Sequence, residues 1–302
     1  MIRFVRILLL FLFVSAELKA EAKTLDLYWI DVEGGAATLI VTPDGESVLI
    51  DAGQDLERDV SRIHHVAVKV AGLKAIDHFV TTHWHGDHYG GVMNLSERIP
   101  IKRFYDRGEV PAQFPEDPNF PVLMARYQKM TGGKATGLDP GNRVPLRGLS
   151  DKTPLELVCL ASSGKLIAAK SGPSNSICSG KKEAPKDDSD NAKSVVLMLR
   201  YGKFSFFDGG DLTRQMEEKL VCPINRVGTV DLLQIDHHGL DLSNSPALLR
   251  TLNPRVVIVN NGPDKGAENE TMKTLKGLPG IETIWQVHRN LQSIMSETPP
   301  RA

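Results

Sequence analysis

Three histidines and one aspartate fall within six consecutive positions, His83-Trp84-His85-Gly86-Asp87-His88. His83 and His85 are two apart, so a strand would point both to one face. Gly86 lets the chain turn sharply before Asp87 and His88. Imidazoles with a carboxylate suit zinc, iron and related metals. One ion cannot easily be reached by both pairs. The spacing therefore predicts two ions, one held by His83 and His85, the other by Asp87 and His88. Two ions about 3.5–4 Å apart need a bridging ligand. Asp211, after two glycines in "FFDGGDL", is the candidate bridge, and "QIDHHGLD" offers His237 and His238 as a further nitrogen. Adjacent strand residues face opposite ways, so those two histidines cannot ligate in the same manner.

These groups need elements to place them. "TLDLYWIDV", "AATLIVT" and "SVLIDAG" read as a meander of short strands with turns at Glu33-Gly34-Gly35 and Pro43-Asp44-Gly45. Val60, Ile63, Val66, Ala67 and Val70 recur at helical spacing, and Gly72 stops that helix. "AIDHFVTTHWH" is a strand running into the histidine cluster, and "GGVMNLSERI" a helix after it. Residues 105 to about 190 are less regular, with a proline-rich loop, a helix in "PVLMARYQKMTGG" and a polar surface insertion near 161–193. Two strands then pair across a Gly-Lys turn, "SVVLMLRYG" and "FSFFDGGD". Helices at "LTRQMEEKLV" and "ETMKTLKGL" alternate with strands at "VDLLQIDHHG", "PRVVIVNNG" and "IETIWQVH". Strands bounding each half with helices between predict an α/β protein, its sheets covered by helices on their outer faces. Every candidate ligand then falls at a strand's C-terminal end, where active-site loops gather. His64 and His65 read as helix surface, His78 begins a strand, and Tyr89 packs its helix.

The 302 residues are 41% hydrophobic and 24% charged, enough for one large domain. Arg3 and Arg6 precede the apolar run Ile7–Ala16, and small residues follow at Ala20 and Ala22. That pattern predicts a signal peptide over residues 1–22 and a mature domain over 23–302, periplasmic or secreted. The run is too short for an ordinary membrane span. Losing residues 1–20, with Arg3, Arg6, Lys19 and Glu17, would move the formal charge from −1 to −3, and losing Glu21 as well would bring it to −2. A mildly acidic chain with no basic stripe argues against a nucleic-acid partner. Of Cys159, Cys178 and Cys222, the first two flank the polar insertion and are the expected disulfide.

"HWHGDH", "SVLIDAG", "GGD" and "HHG", in this order, resemble the signature of the metallo-β-lactamase superfamily, over nearly all of the mature chain. "DVEGGAATLIVTP", "NAKSVVLMLRYGKFSFFDGGD" and "DLLQIDHHGLDLSNSP" are similar to the subgroup that includes the C-terminal domain of the competence protein ComEC and the choline-phosphate esterases. The resemblance implies a four-layer αββα sandwich and a dinuclear site, with two zinc ions expected and manganese or iron as alternatives. It implies metal ligands His83, His85, Asp87, His88, Asp211 and His238, with Asp51 supporting the metal loop. Asp87 would orient the attacking water and take its proton, and His237 would meet substrate or brace a ligand. One departure stands out: many members place a third histidine on the first metal, and this chain has none between His88 and His237. Asp190 and Asn191 are the candidates to fill that place; Asn260, Asn261 and His288 end strands at the rim.

Three readings of function follow. A phosphodiesterase or related phosphoesterase matches the subgroup, acting on a small-molecule or cell-envelope substrate. A lactone, amide or β-lactam hydrolase matches an exported protein. A non-catalytic metal-binding module would shed ligands, and this chain keeps most of them.

Overall fold

A computed structural model describes residues 24–147, 153–169, 171–179 and 184–291; the expected signal peptide lies outside the described residues. The first sheet holds β1 (Asp26–Trp29), β2 (Thr38–Val41), β3 (Ser47–Ile50), β4 (His78–Val80), β5 (Phe104–Asp106) and β6 (Thr136–Gly137), in that spatial order. The second holds β7 (Arg143–Val144), β8 (Leu155–Ser162), β9 (Lys165–Leu166), β10 (Val196–Tyr201), β11 (Phe204–Asp208), β12 (Leu232–Gln234), β13 (Val256–Val259) and β14 (Thr283–Gln286). Its order is β14-β13-β12-β11-β10-β8-β7, with β9 paired to β8. The strands that lead into the site, β3, β4, β11, β12 and β13, run parallel to their neighbours on at least one side.

Alternation along the strands sorts the core into layers. Ile40, Val48, Ile50 and Val80 face the second sheet, where Leu197, Leu199 and Phe206 meet them. The intervening Leu39, Leu49 and Phe79 turn outward against Val60 and Ile63 of α1 (Glu57–His65), with Tyr89 of α2 (Gly86–Tyr89), Val92 of α3 (Val92–Ser96) and Met124 of α4 (Phe120–Thr131) in the same layer. Met198, Phe207, Leu233 and Val257 face α5 (Arg214–Val221), α6 (Pro246–Leu252) and α7 (Asn269–Lys276) on the far side. A period of two in strands that are covered on both faces gives helix, sheet, sheet, helix. This is the αββα sandwich. Across its middle, Gln234 Oε1 accepts from both Trp29 Nε1 and Thr38 Oγ1 at 2.7 Å.

The elements stop where local chemistry predicts. Helix α1 carries Glu57 and Asp59 in its first turn, suiting the helix dipole, and its wider continuation over Val66–Val70 ends before Gly72 at φ 67°. Helix α4 has proline in its first turn and closes on left-handed Gly132. The irregular middle of the sequence hides β8, eight residues that pair β10 on one side and the short edge strands β7 and β9 on the other. Residues 161–166 of the expected insertion are the turn and partner strand of a β8–β9 hairpin.

The disulfide joins Cys178 to Cys222, not Cys159 to Cys178. Cys159 is buried in β8 among the residues between the sheets, and burial pushes its thiol up to about 12. Cys178 sits on a loop that docks on the end of α5, where Asn175 Nδ2 donates to Val221 O (3.0 Å) and Thr251 Oγ1 (2.8 Å). Among the described residues no helix is long and apolar enough to cross a membrane.

Candidate metal centre

The predicted ligands lie past the ends of these strands. Asp51 follows β3 in a left-handed conformation, and Thr81 to His83 follow β4. Asp211 follows β11 across Gly209, where a Cβ would stand 2.1 Å from Asp236 Oδ1; only glycine lets the two strand ends approach this closely. His237 and His238 follow β12 and are not on a strand. Both are left-handed, at φ 52° and 57°, and each Nε2 lies 3.4 Å from Asp211 Oδ2. The expected strand alternation, which set these two rings apart, is cancelled by that turn.

Each imidazole has one nitrogen pinned. His88 Nδ1 donates to Asp51 Oδ2 at 2.7 Å, and His238 Nδ1 to the Asn260 carbonyl at 3.1 Å. His83 Nδ1 meets Thr82 Oγ1 at 3.0 Å, which itself donates to Asp51 Oδ2 at 2.7 Å. The free Nε2 atoms of His88 and His238 then face each other at 3.3 Å. Two imidazole nitrogens at that distance need a proton or a metal cation between them. Asp87 Oδ2 lies 3.5 Å from His238 Nε2, and Asp211 Oδ1 lies 3.2 Å from His88 Nε2. Four donors at bond lengths of about 2.0–2.1 Å around a tetrahedral ion would be about 3.4 Å apart. The donor set fits a divalent metal there. His83 Nε2 and Asp211 Oδ1, both buried without a hydrogen-bond partner, point to a second such position.

The electrostatics match. Burial opposes charge on His88, but Asp211, Asp51 and Asp87 hold its proton affinity well above the usual imidazole range. Burial likewise opposes charge on Asp87 and Asp211; Lys265 and His88 on the former, His238 and His88 on the latter, hold both carboxyls well below theirs. Burial, then His88, hold His83 well below the imidazole range, and burial pushes His237 down to about 4. Behind the ligands, burial raises Asp208 to about 7, and burial with Glu217 holds Asp236 well above the carboxylate range. Glu217 accepts Asn244 N (2.5 Å) and Ser245 N (2.6 Å), and Asn244 brackets Asp236, which braces the double-histidine turn.

The structure brings together His83, Asp87, His88, Asp211 and His238, with His237 beside Asp211. His85 stands at the edge: its Nε2 meets Glu116 Oε2 at 2.9 Å, which leaves Nδ1 as its free nitrogen, and its ring is 4.9 Å from that of His83. Asp190 is not aimed at the cluster. It accepts from Trp84 N (2.5 Å) and from buried Arg107 (2.6 Å), which fixes the chain between the first two histidines. Asn191 Nδ2 lies 3.3 Å from His237 Nε2. Asn261 Nδ2 donates to the carbonyls of Gly262 and His288. His288 groups with Asp31 and Glu33, apart from the metal ligands.

Sequence reasoning missed Thr82, Glu116 and Lys265. Lys265 reaches from the loop before α7 to Asp87 Oδ2 at 2.5 Å, its stem crossing Gly34. No local pattern around Lys265 or Glu116 flags them; only the fold carries them to the cluster.

Residues 30–167 match the family model of the metallo-beta-lactamase superfamily. The chain is 23% identical to ComE operon protein 3 of Bacillus subtilis over 262 residues, 82% of this chain and 30% of that protein. It is 38% identical to the lactamase-like protein nscB of Neosartorya fischeri over 85 residues, 26% of this chain and 25% of that one. The chain thus spans about a third or less of the length of these relatives. Among solved structures, CmlA, a diiron beta-hydroxylase from Streptomyces venezuelae, aligns at TM-score 0.45 and 16% identity over 85% of this chain and 50% of that one. Residues 30–167 thus carry the match to the metallo-β-lactamase superfamily, whose members are generally metal-dependent hydrolases, and the αββα layering and the His/Asp cluster agree with that match.

Proposed function

We propose that this chain is an exported hydrolase with a dinuclear zinc site, acting on a phosphodiester or other phosphoester. The observation that carries the substrate class is Lys265, an ammonium at the rim of the cluster beside Asp87. A phosphodiester carries negative charge at the reacting centre for it to meet, whereas a simple lactone or amide does not; a β-lactam would bring only its carboxylate, remote from that centre.

Asp87, His88, His238 and Asp211 would hold one ion; His83, His85 through Nδ1, and Asp211 would hold the other. The nitrogen and oxygen donors suit zinc, and manganese or iron remain alternatives. The ions would supply a Lewis acid and a water whose pKa falls to about 7. The chain does the rest. Asp51, Thr82 and the Asn260 carbonyl orient the imidazoles. Asp87 orients the attacking water and takes its proton. Lys265 Nζ transfers its hydrogen bond from Asp87 to a substrate oxygen. His237, neutral at pH 7, offers Nε2 to a substrate proton, with Ser243 on its Nδ1.

Export rests on the basic and apolar start of the sequence and on the Cys178–Cys222 bridge, which suits an oxidising compartment. A lactone, amide or β-lactam hydrolase is the second reading, favoured by the lactamase-like fungal relative. Metal content of the mature protein, followed by hydrolysis of bis(p-nitrophenyl) phosphate and nitrocefin in parallel, separates the readings. About two ions per chain with phosphodiester turnover is expected. Nitrocefin turnover alone would promote the second reading, and a metal-loaded protein inert to both would be a binding module.

A further inference from the structure

A groove of about 680 Å³ opens beside the cluster, within the range of about 300–1,000 Å³ typical of small-molecule sites. Asp87, His85 and Lys265 line its metal end, and Leu56, Val122 and Leu123 line it as well. Leu56 is 43% and Val122 64% exposed, two of the few large apolar side chains left in solvent. A Cβ on Gly86 would stand 3.2 Å from Asp117 Oδ2 and 3.6 Å from Leu123 Cδ1, so Leu123 brings apolar surface to within one residue of Asp87, beside the Asp117 carboxylate. The remaining charges of the groove are engaged within the chain. Arg126 donates to Asp55 (2.5 Å) and Asn94 (2.7 Å), Glu116 meets His85, and Asp117 accepts Asn119 N at 2.8 Å. Polyanion tracks need a row of available cations. This groove instead sets three carboxylates, Asp55, Glu116 and Asp117, along the path.

From this juxtaposition of Lys265 at the metal end, a metal-ligand cluster and an exposed apolar lining, we infer that the groove binds a small amphiphilic phosphodiester. Its phosphoryl group lies between Lys265 and the metal ligands, and one alkyl or aryl ester arm lies on Leu56, Val122 and Leu123. The inference rests on the phosphoester reading above and narrows it to a substrate with one apolar arm.

The test uses the zinc-loaded protein and two non-hydrolysable probes, methylphosphonate and n-hexylphosphonate, with binding followed by calorimetry. The hexyl probe is expected to bind at least about tenfold more tightly than the methyl probe. The double variant Leu56→Ser/Val122→Asp is expected to cut that ratio about tenfold. Leu56 occupies the N-cap of α1, where serine is favoured, and Val122 is exposed, so the fold tolerates both changes. Lys265→Met should weaken both probes together. Equal binding of the two probes, or a ratio that the double variant leaves intact, overturns the inference. So does a single-stranded oligonucleotide that displaces the hexyl probe at lower concentration than any monoester. Hydrolysis of bis(p-nitrophenyl) phosphate separates the two levels. Turnover without a chain-length preference sinks the amphiphile alone; no turnover sinks the phosphoester reading, while the phosphonate ratio still decides what the groove holds.

Discussion

The two proposed metal positions share Asp211 but are built to different standards. The second is framed by Asp87, His88 and His238, with His88 and His238 pinned behind by Asp51 and the Asn260 carbonyl. The first has buried His83, whose Nε2 is 3.8 Å from Asp211 Oδ2, and rim residue His85, whose brace is the half-exposed Glu116. Where a third histidine would complete the first position, Asp190 instead holds Arg107 and the Trp84 amide. Burial and bracing make a tight site; a ligand on the rim with a solvent-exposed brace makes a weaker one.

Removing the shared ligand should erase the contrast. Asp211→Ala is expected to lower hydrolysis about a thousandfold or more and to release both ions, measured by turnover and metal analysis. Retention of one tightly held ion would mean that Asp211 does not bridge. In the unaltered protein, chelator titration should remove the ions in two steps, with affinities at least about tenfold apart. The tighter step depends on pH in a defined direction. Asp211, Asp51 and Asp87 favour the protonated form of His88 in the metal-free chain, so an ion entering the second position competes with that proton. Affinity there should rise with pH until His88 is neutral, and proton release should appear in calorimetry across buffers of different ionisation enthalpy. A single step with no proton release would dissolve the comparison.

Glu116→Ala addresses the first position alone. It should weaken the looser ion about 10–100-fold and leave the tighter one in place. A smaller effect is expected behind the ligands. Burial raises Asp208 to about 7, so its stabilising proton is fully present below the unfolded value of 3.8 and lost as pH rises through 7. Asp208→Asn in metal-free protein should therefore gain about 2 kcal/mol relative to wild type between pH 5 and pH 8, measured by denaturant unfolding. A pH-independent difference would show that Asp208 is already ionised.

The second position was the more legible of the two, and the reason is physical. Its ligands sit in compact runs at strand ends, "HWHGDH", "GGD" and "HHG", where one turn of chain exposes several side chains together. Strands β2, β3 and β10 were equally readable, as apolar runs closed by turn residues at Pro43-Asp44-Gly45, Gly53 and Gly202. Strand β8, just as buried, was not, because "LELVCLAS" lies between polar stretches that read together as one irregular region. The braces escaped for another reason: Glu116 and Lys265 come from loops that only the fold brings to the cluster. The left-handed pair at His237 and His238 also overrode the strand rule that seemed to force a choice between them. The cysteine pairing depended on a loop docking across α5, which spacing does not encode.

The donors at the second position come from both sheets: Asp87 and His88 from α2, which follows β4 of the first, Asp211 and His238 from the turns after β11 and β12 of the second. An ion held there is a rivet through the sandwich. By mass action, free metal at a hundred times its dissociation constant adds about 2.7 kcal/mol to folding stability, and a thousand times adds about 4.1. The melting temperature of this chain would then report the metal supply around it. Scarcity of metal would loosen the scaffold and idle the site in a single event.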